Sequence, residues 1–357
     1  MKVQRIRHPD GKTDWIVIGD DYLPIEPIRK YLKYCWSLER SPTTIETYAR
    51  HLKCYWEFIT FNNIDWTTIR EDKLAEFIPW LRAQDPTVRA LQPQEERRCA
   101  STINTILSAV YSFYSFHIRL GTVTGLELYR ASNGKKRYKD FLYHINKSKP
   151  VQTRLIKVKE PRKAVKTFEP EQVEKLLDAC CNLRDKFLLV LLYESGMRIG
   201  QALGLRHEDI KPWDNQVQIK FRHNVNDARS KTFKTYNVDV SEEVMNLYSD
   251  YFDYVYPQDL LSDYVFVNIS GKTRGRPMRY HSVSDLFKRL REKTGIKEAT
   301  PHMFRHTHAT ELIEAEVDSS VVRERLGHVN IQTTINTYTH IRPKAMKKAY
   351  QDYLDRR

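Results

Sequence analysis

Between Pro24 and about Leu120, apolar residues recur every third or fourth position, the spacing of a helix with one buried face. Ser41 stands where an N-cap belongs and Pro42 at the first helical position, ahead of Ile45, Tyr48, Leu52, Tyr55 and Ile59 in one stripe. A second helix is predicted from Ser101, with Ile103, Ile106, Val110 and Phe113 in line. Residues 1 to about 20 read differently. Asp10-Gly11 followed by Trp15-Ile16-Val17-Ile18 has the turn-then-strand character of a hairpin. Far along the chain, Thr300 is placed to cap a helix that begins at Pro301 and carries Phe304, Ala309, Leu312 and Ile313. Met346, Ala349, Tyr350 and Leu354 repeat the pattern in the tail. The expected fold is mainly α with a small antiparallel β-sheet.

One stretch breaks the periodicity. From Lys147 to Lys166 the chain carries Lys149, Arg154, Lys157, Lys159, Arg162 and Lys163 against the single acid Glu160, with Pro150 and Pro161 inside it. It reads as an extended basic linker between two halves. The predicted organisation is a β-like segment over 1–20, a helical domain over 21–146, the linker over 147–166 and a second domain over 167–357.

Charge narrows the partner. A formal net charge of +14 points to a polyanion, although ribosome-associated and membrane-surface proteins share such a balance. The longest apolar run, Phe187 to Tyr193, is far shorter than the roughly 20 residues a bilayer span requires. The amino terminus has no apolar signal core, so the expected location is cytoplasmic. Cys35, Cys54, Cys99, Cys180 and Cys181 are odd in number and lack CxxC spacing, which argues for buried thiols and against a disulfide framework or zinc ribbon.

The candidate chemistry lies in the last third. His302 and Arg305 are three residues apart, so on a helix both reach one side and one anion. A guanidinium offers a planar fork of donors that matches phosphate oxygens. His328 follows Gly327, and Tyr338 comes ten residues later. Cutting a phosphodiester without a metal needs cations at the phosphate, a proton donor for the leaving oxygen and a nucleophile, and these residue types supply all three. By themselves they leave other readings open. His302 and His306 have the i, i+4 spacing of a metal pair, but without the glutamate of a HisGluxxHis site or nearby cysteines. The stretch Val317 to Thr334, bent at Gly327, has the outline of a helix-turn-helix. Tyr338 is one of 21 tyrosines and taken alone reads as a core aromatic.

Taken in order, His302, Arg305, His328 and Tyr338 resemble the signature of the tyrosine recombinase (phage integrase) family, most like its transposon-encoded members. The resemblance covers about 168 to 357 and, more loosely, the first half. It implies a helical, SAM-like core-binding domain followed by a mixed α/β catalytic domain. It also locates two further residues: Arg198, in Gly196-Met197-Arg198-Ile199 with Asp209 at the acidic position, and Lys231, on the turn of a hairpin joining Gln216–His223 to Thr232–Val240, with Lys234 as the neighbouring candidate. Gln201 departs from the glutamate common in relatives; an amide still accepts a hydrogen bond but carries no charge.

The mechanism implied by the resemblance is explicit. Arg198 and Arg305 clamp the scissile phosphate, His302 is the general acid/base, and His328 contacts a non-bridging oxygen. Tyr338 attacks phosphorus to give a 3′-phosphotyrosine while Lys231 protonates the departing 5′ oxygen. No cofactor, metal or ATP is expected. The implied partner is double-stranded DNA carrying two recombination sites, bound by four protomers that are monomers in solution, with accessory transposition proteins and no membrane. Thr43, Thr44, Arg50 and Lys53 on the first domain, and Lys149, Arg154, Lys157 and Lys159 on the linker, are the expected phosphate contacts. The rivals are a type IB topoisomerase-like relaxing enzyme and a non-catalytic DNA-binding regulator of the same fold.

Overall fold

A computed structural model of the chain describes residues 1–7, 13–83, 97–132, 151–160, 165–230, 234–259 and 262–327. The chain divides into two units, Met1–Arg162 and Lys163–Arg357. It is mainly helical with small antiparallel sheets, as the periodicity predicts.

The first unit opens with a hairpin, β1 (Lys2–Arg7) against β2 (Thr13–Ile18), in the register Lys2 to Ile18. Val17 points inward and is 1% exposed, which joins the hairpin to the same core as the helices behind it. Those are α1 (Glu26–Ser37), α2 (Pro42–Phe61), the short α3 (Glu71–Ala75) and α4 (Phe77–Arg82), and α5 (Ala100–Arg119). The Ser41 hydroxyl accepts the Thr44 N–H at 3.2 Å, the capping bond expected of it. Ile45, Ala49, Leu52, Tyr55, Phe58 and Ile59 form the buried stripe of α2. Its aromatic side meets α5 through paired hydroxyls. Tyr114 donates to the Trp66 carbonyl at 3.2 Å, so Tyr55, 2.6 Å away, must be the donor to Tyr114.

The basic stretch after α5 is extended but anchored. β4 (Val151–Arg154) pairs antiparallel with β3 (Tyr129–Ser132). Beyond it the Asn104 side chain copies a strand: its Oδ1 accepts the Val158 N–H at 2.9 Å and its Nδ2 donates to the Val158 carbonyl at 2.8 Å. Ile156 donates its N–H to the Tyr111 hydroxyl at 2.8 Å. Residues 151–160 are therefore fastened to the first unit, because their alternate apolar side chains, Ile156 and Val158, join its core.

The second unit is built around α7 (Leu183–Ser195), which packs on α6 (Pro170–Asp178), α9 (Glu242–Tyr254) and α11 (Pro301–Glu314). Surrounded in this way, α7 is apolar on nearly every side, which accounts for the run Phe187 to Tyr193. A three-stranded antiparallel sheet, β5 (Ile210–Lys211), β6 (Gln216–Ile219) and β7 (Tyr236–Asp239), sends Val217, Ile219 and Val238 into that core. The hairpin is shorter than the expected Gln216–His223 and Thr232–Val240. After Ile219 the chain leaves the ladder because Lys220 and Arg222 turn to the buried Asp209 and Asn226 holds the carbonyls of Leu203 and Met278 at 2.9 and 2.8 Å. The remaining helices are α8 (Ile199–Ala202), α10 (Tyr280–Thr294) and α12 (Ser319–Arg325). Thr300 holds the N-cap position of α11, but its side chain makes no capping bond.

The five cysteines are all free thiols, and the expectation that they are buried is corrected. Cys35 is buried and Cys54 and Cys180 are half-buried, but Cys99 and Cys181 are exposed beside helix ends. Among the described residues no helix is long and apolar enough to cross a membrane.

Candidate active site

The site begins where α7 ends. Gly196 terminates the helix in the left-handed region at φ +61°, and a Cβ there would stand 2.6 Å from His308 Cδ2 and 2.9 Å from a Leu326 methyl. Only glycine suits both the turn and the closeness of the packing. Two residues later Arg198 is the extended N-cap of α8, with its backbone N–H donated to Gln201 Oε1 at 2.8 Å. Its guanidinium is half-buried, and Nη1 is enclosed with no hydrogen-bond partner among the described residues. Burial lowers its pKa from the usual arginine value, yet a guanidinium so placed remains cationic at neutral pH.

Arg305, 2% exposed on α11, faces the same turn. Its Nη1 donates to the Gly196 carbonyl at 2.8 Å and its Nη2 to the Leu326 carbonyl at 2.8 Å. One guanidinium thereby gathers the turn that leads to Arg198 and the end of α12 that leads to His328. His328 itself lies outside the described residues, as do Lys231 and Tyr338. The last described residue, Gly327, adopts φ +60°. Lys234, the alternative lysine, is exposed, with Nζ 3.9 Å from Glu324.

His302 is exposed on the same helix, one turn before Arg305. Its ring meets His306 edge-to-face at 4.5 Å between centroids. Burial, then the nearby His302 and Arg305, push His306 down to about 4, so it is neutral at ordinary pH. Both histidines line a cleft of about 500 Å³ with Thr300, Lys166 and Glu298. No group of three or more metal-ligating side chains is found among the described residues.

Two side chains brace the site: one stands at the position that the resemblance marks beside Arg198, although its partners do not follow from spacing, and the other is given by no motif. The first is Gln201, 3% exposed, which also donates Nε2–H to the Tyr236 hydroxyl at 3.0 Å and to Ser230 Oγ at 3.3 Å. The amide thus links Arg198, the residue before Lys231, and β7. The second is Arg325, which donates Nε–H to His308 Nε2 at 2.9 Å and Nη2–H to the carbonyls of Glu194 and Asp239 at 3.0 and 2.8 Å. Burial, then the Arg325 and Arg305 charges, push His308 down to about 3, consistent with a neutral ring accepting that bond. Asp209, the expected acidic position, is fully buried; burial would raise its carboxyl, but hydrogen bonds from Arg222, the Arg206 N–H and Lys220 outweigh this and hold it below the usual range.

On the first unit the expected phosphate contacts have internal partners. Thr43 and Thr44 hydroxyls lie 3.1 and 2.7 Å from Ser41 Oγ, Arg50 pairs with Glu46 at 2.7 Å and Lys53 with Glu57 at 2.6 Å. Arg154 donates to Ser108 Oγ at 2.6 Å and lies over the Tyr111 ring, whereas Lys157 and Lys159 are exposed. Lys149 falls outside the described residues.

Comparison with known proteins agrees with this architecture. Residues 166–345 match the phage integrase family and residues 28–121 match the phage integrase N-terminal SAM-like domain. The chain is 40% identical over 360 residues to transposase A from transposon Tn554 of Staphylococcus aureus, covering 100% of this chain and 99% of that protein. It is 30% identical over 202 residues to the tyrosine recombinase XerC of S. aureus strain USA300, covering 55% of this chain and 63% of the relative. Among solved structures, a Tn1549 transposon integrase in complex with transposon right end DNA matches with a TM-score of 0.60 at 16% identity, over 92% of this chain and 99% of that one. The XerH recombinase bound to difH substrate matches with a TM-score of 0.58 at 19% identity, over 90% and 84%.

Proposed function

The chain belongs to the phage integrase family and is a tyrosine recombinase of the transposase/integrase kind; from this premise we propose how its own residues do the work. The substrate is double-stranded DNA at the ends of a mobile element. Arg198 and Arg305 grip the scissile phosphate from opposite sides of the Gly196 turn, and their charge stabilises the oxygens as negative charge grows in the transition state. His302, open to the cleft at the start of α11, exchanges the proton of the attacking hydroxyl. Tyr338 is the nucleophile, Lys231 the donor to the leaving 5′ oxygen and His328 a contact to a non-bridging oxygen. The phosphotyrosyl bond conserves the energy of the broken link, so rejoining to a different strand needs no ATP. Four protomers on two duplexes complete an exchange, and Lys149, Arg154, Lys157 and Lys159, with Thr43, Thr44, Arg50 and Lys53, supply backbone contacts.

The observation that carries this reading is the guanidinium pair around Gly196. The Arg305 plane is held by two carbonyls, and Arg198 keeps a buried donor without an acceptor among the described residues. A buried unsatisfied donor costs on the order of 1–3 kcal/mol, which an anionic phosphate would recover. The test is a nicked suicide duplex carrying the element's end. The parent chain should form a covalent adduct visible on a denaturing gel, and Tyr338→Phe should bind the duplex without forming it. An undiminished adduct with that variant removes Tyr338 from the role. Relaxation of supercoiled DNA lacking any recombination site would instead favour a topoisomerase.

A further inference from the structure

The Gln201 amide is oriented unambiguously. A backbone N–H can only donate, so the atom facing the Arg198 N–H must be the oxygen, and the nitrogen must face Ser230 and Tyr236. Gln201 therefore donates to the Tyr236 hydroxyl, which is left with its own proton to give. Among the described residues Tyr236 has no acceptor for it.

Three observations locate that proton. A Cβ on Gly327 would stand 2.5 Å from Tyr236 Oη, so the hydroxyl reaches the backbone immediately before His328. Burial raises the Tyr236 pKa, while the Gln201 hydrogen bond and the Arg305 and Arg198 charges pull against it without cancelling it; the hydroxyl stays a neutral donor within the field of both guanidiniums. Arg198 Nη1 also lacks an acceptor among the described residues, and the Arg198 charge acts on the Tyr236 hydroxyl. Two such donors next to a third, charged group are complementary to a multi-oxygen anion.

Building on the site reading above, we propose that Tyr236 is a further catalytic residue, whose hydroxyl donates to a non-bridging oxygen of the phosphate held by Arg198 and Arg305, with Gln201 setting the direction of that donation. A glutamate at 201 would offer only acceptors, and Tyr236 would spend its proton on the carboxylate. The glutamine at this position is therefore part of the catalytic arrangement as well as a brace.

The test uses the full chain and nicked suicide duplexes with an ordinary phosphate, or a stereopure Rp or Sp methylphosphonate, at the scissile position. A hydrogen bond to a charged acceptor is worth about 1.5–3 kcal/mol, so Tyr236→Phe should slow adduct formation roughly 10- to 100-fold on the phosphate, with duplex affinity unchanged. On the isomer lacking the contacted oxygen, Tyr236→Phe and the parent should react alike. Gln201→Glu should slow the parent yet cost nothing further in the Tyr236→Phe background. The proposal is overturned if Tyr236→Phe cleaves at the parental rate, if it loses the same factor on the phosphate and both isomers, or if the two substitutions are additive. A parent chain that forms no Tyr338-dependent adduct overturns the site reading itself, and the Tyr236 role with it.

Discussion

Arg305 donates to the carbonyl of Gly196, 109 positions earlier in the chain, at 2.8 Å, and the same guanidinium reaches Leu326 at equal distance. The candidate phosphate-binding arginine is thus also the fastener of the two segments that deliver Arg198 and His328. Structure and chemistry are coupled through one side chain.

Arg305→Lys should separate the two functions. Lysine keeps the charge but cannot present the planar fork that spans both carbonyls. Cleavage of the suicide duplex should fall at least about 100-fold, which is about 2.8 kcal/mol of transition-state stabilisation, and urea melts should show a further loss of about 2–4 kcal/mol in stability. A fully stable but inactive Arg305→Lys would show that the carbonyl bonds contribute little to the fold.

Gly196→Ala should be costly out of proportion to one methyl group. The left-handed conformation costs a non-glycine residue about 1 kcal/mol or more, and contacts at 2.6 and 2.9 Å force His308 and Leu326 to move. Thermal melting should reveal a loss of roughly 2–4 kcal/mol. An unchanged melting temperature would contradict the packing around this turn.

The second unit should weaken in mild acid. His308 and His306 are pushed down to about 3 and about 4 in the folded chain, against an ordinary value near 6.5. The unfolded chain therefore binds more protons, so this stability is present above pH 6.5 and drains away as pH falls toward the folded values. Each histidine contributes a slope of up to about 1.4 kcal/mol per pH unit in that window. Urea melts from pH 7.5 to 5 measure it, and His308→Gln, which keeps an acceptor for Arg325, should flatten the slope.

In the first unit the direction of a hydrogen bond makes an asymmetric prediction. Tyr55→Phe removes a donor and leaves Tyr114 bonded to Trp66, at a cost of about 0.5–1.5 kcal/mol. Tyr114→Phe strands both the buried Tyr55 hydroxyl and the Trp66 carbonyl and should cost more. Chemical denaturation of both variants decides, and equal losses would reverse the assigned donor.

Much of this molecule was legible in one dimension. The stripe from Ile45 to Ile59, the Ser41 cap and the His302–Arg305 helix depend on neighbours within a few residues, and periodicity records those. The family resemblance located Arg198 because its flanking glycine and helix are local too. The length of the β6–β7 hairpin was overestimated because the side chains that end it, Lys220 and Arg222, answer to Asp209 on a different turn. Residues 151–160 read as part of an extended basic linker because their charges are local, whereas their attachment to the first unit depends on Asn104 and Tyr111.

The sequence by itself determined the helical character of both halves, the order of the candidate catalytic residues and the family they resemble. Only the tertiary structure decided which carbonyls Arg305 holds, which way the Gln201 amide points and that the Tyr236 hydroxyl meets Gln201 and the backbone at Gly327. The reason is physical: face and period are set by spacing along the chain, but donor–acceptor partnership depends on where distant segments meet, and no local pattern encodes the path between them.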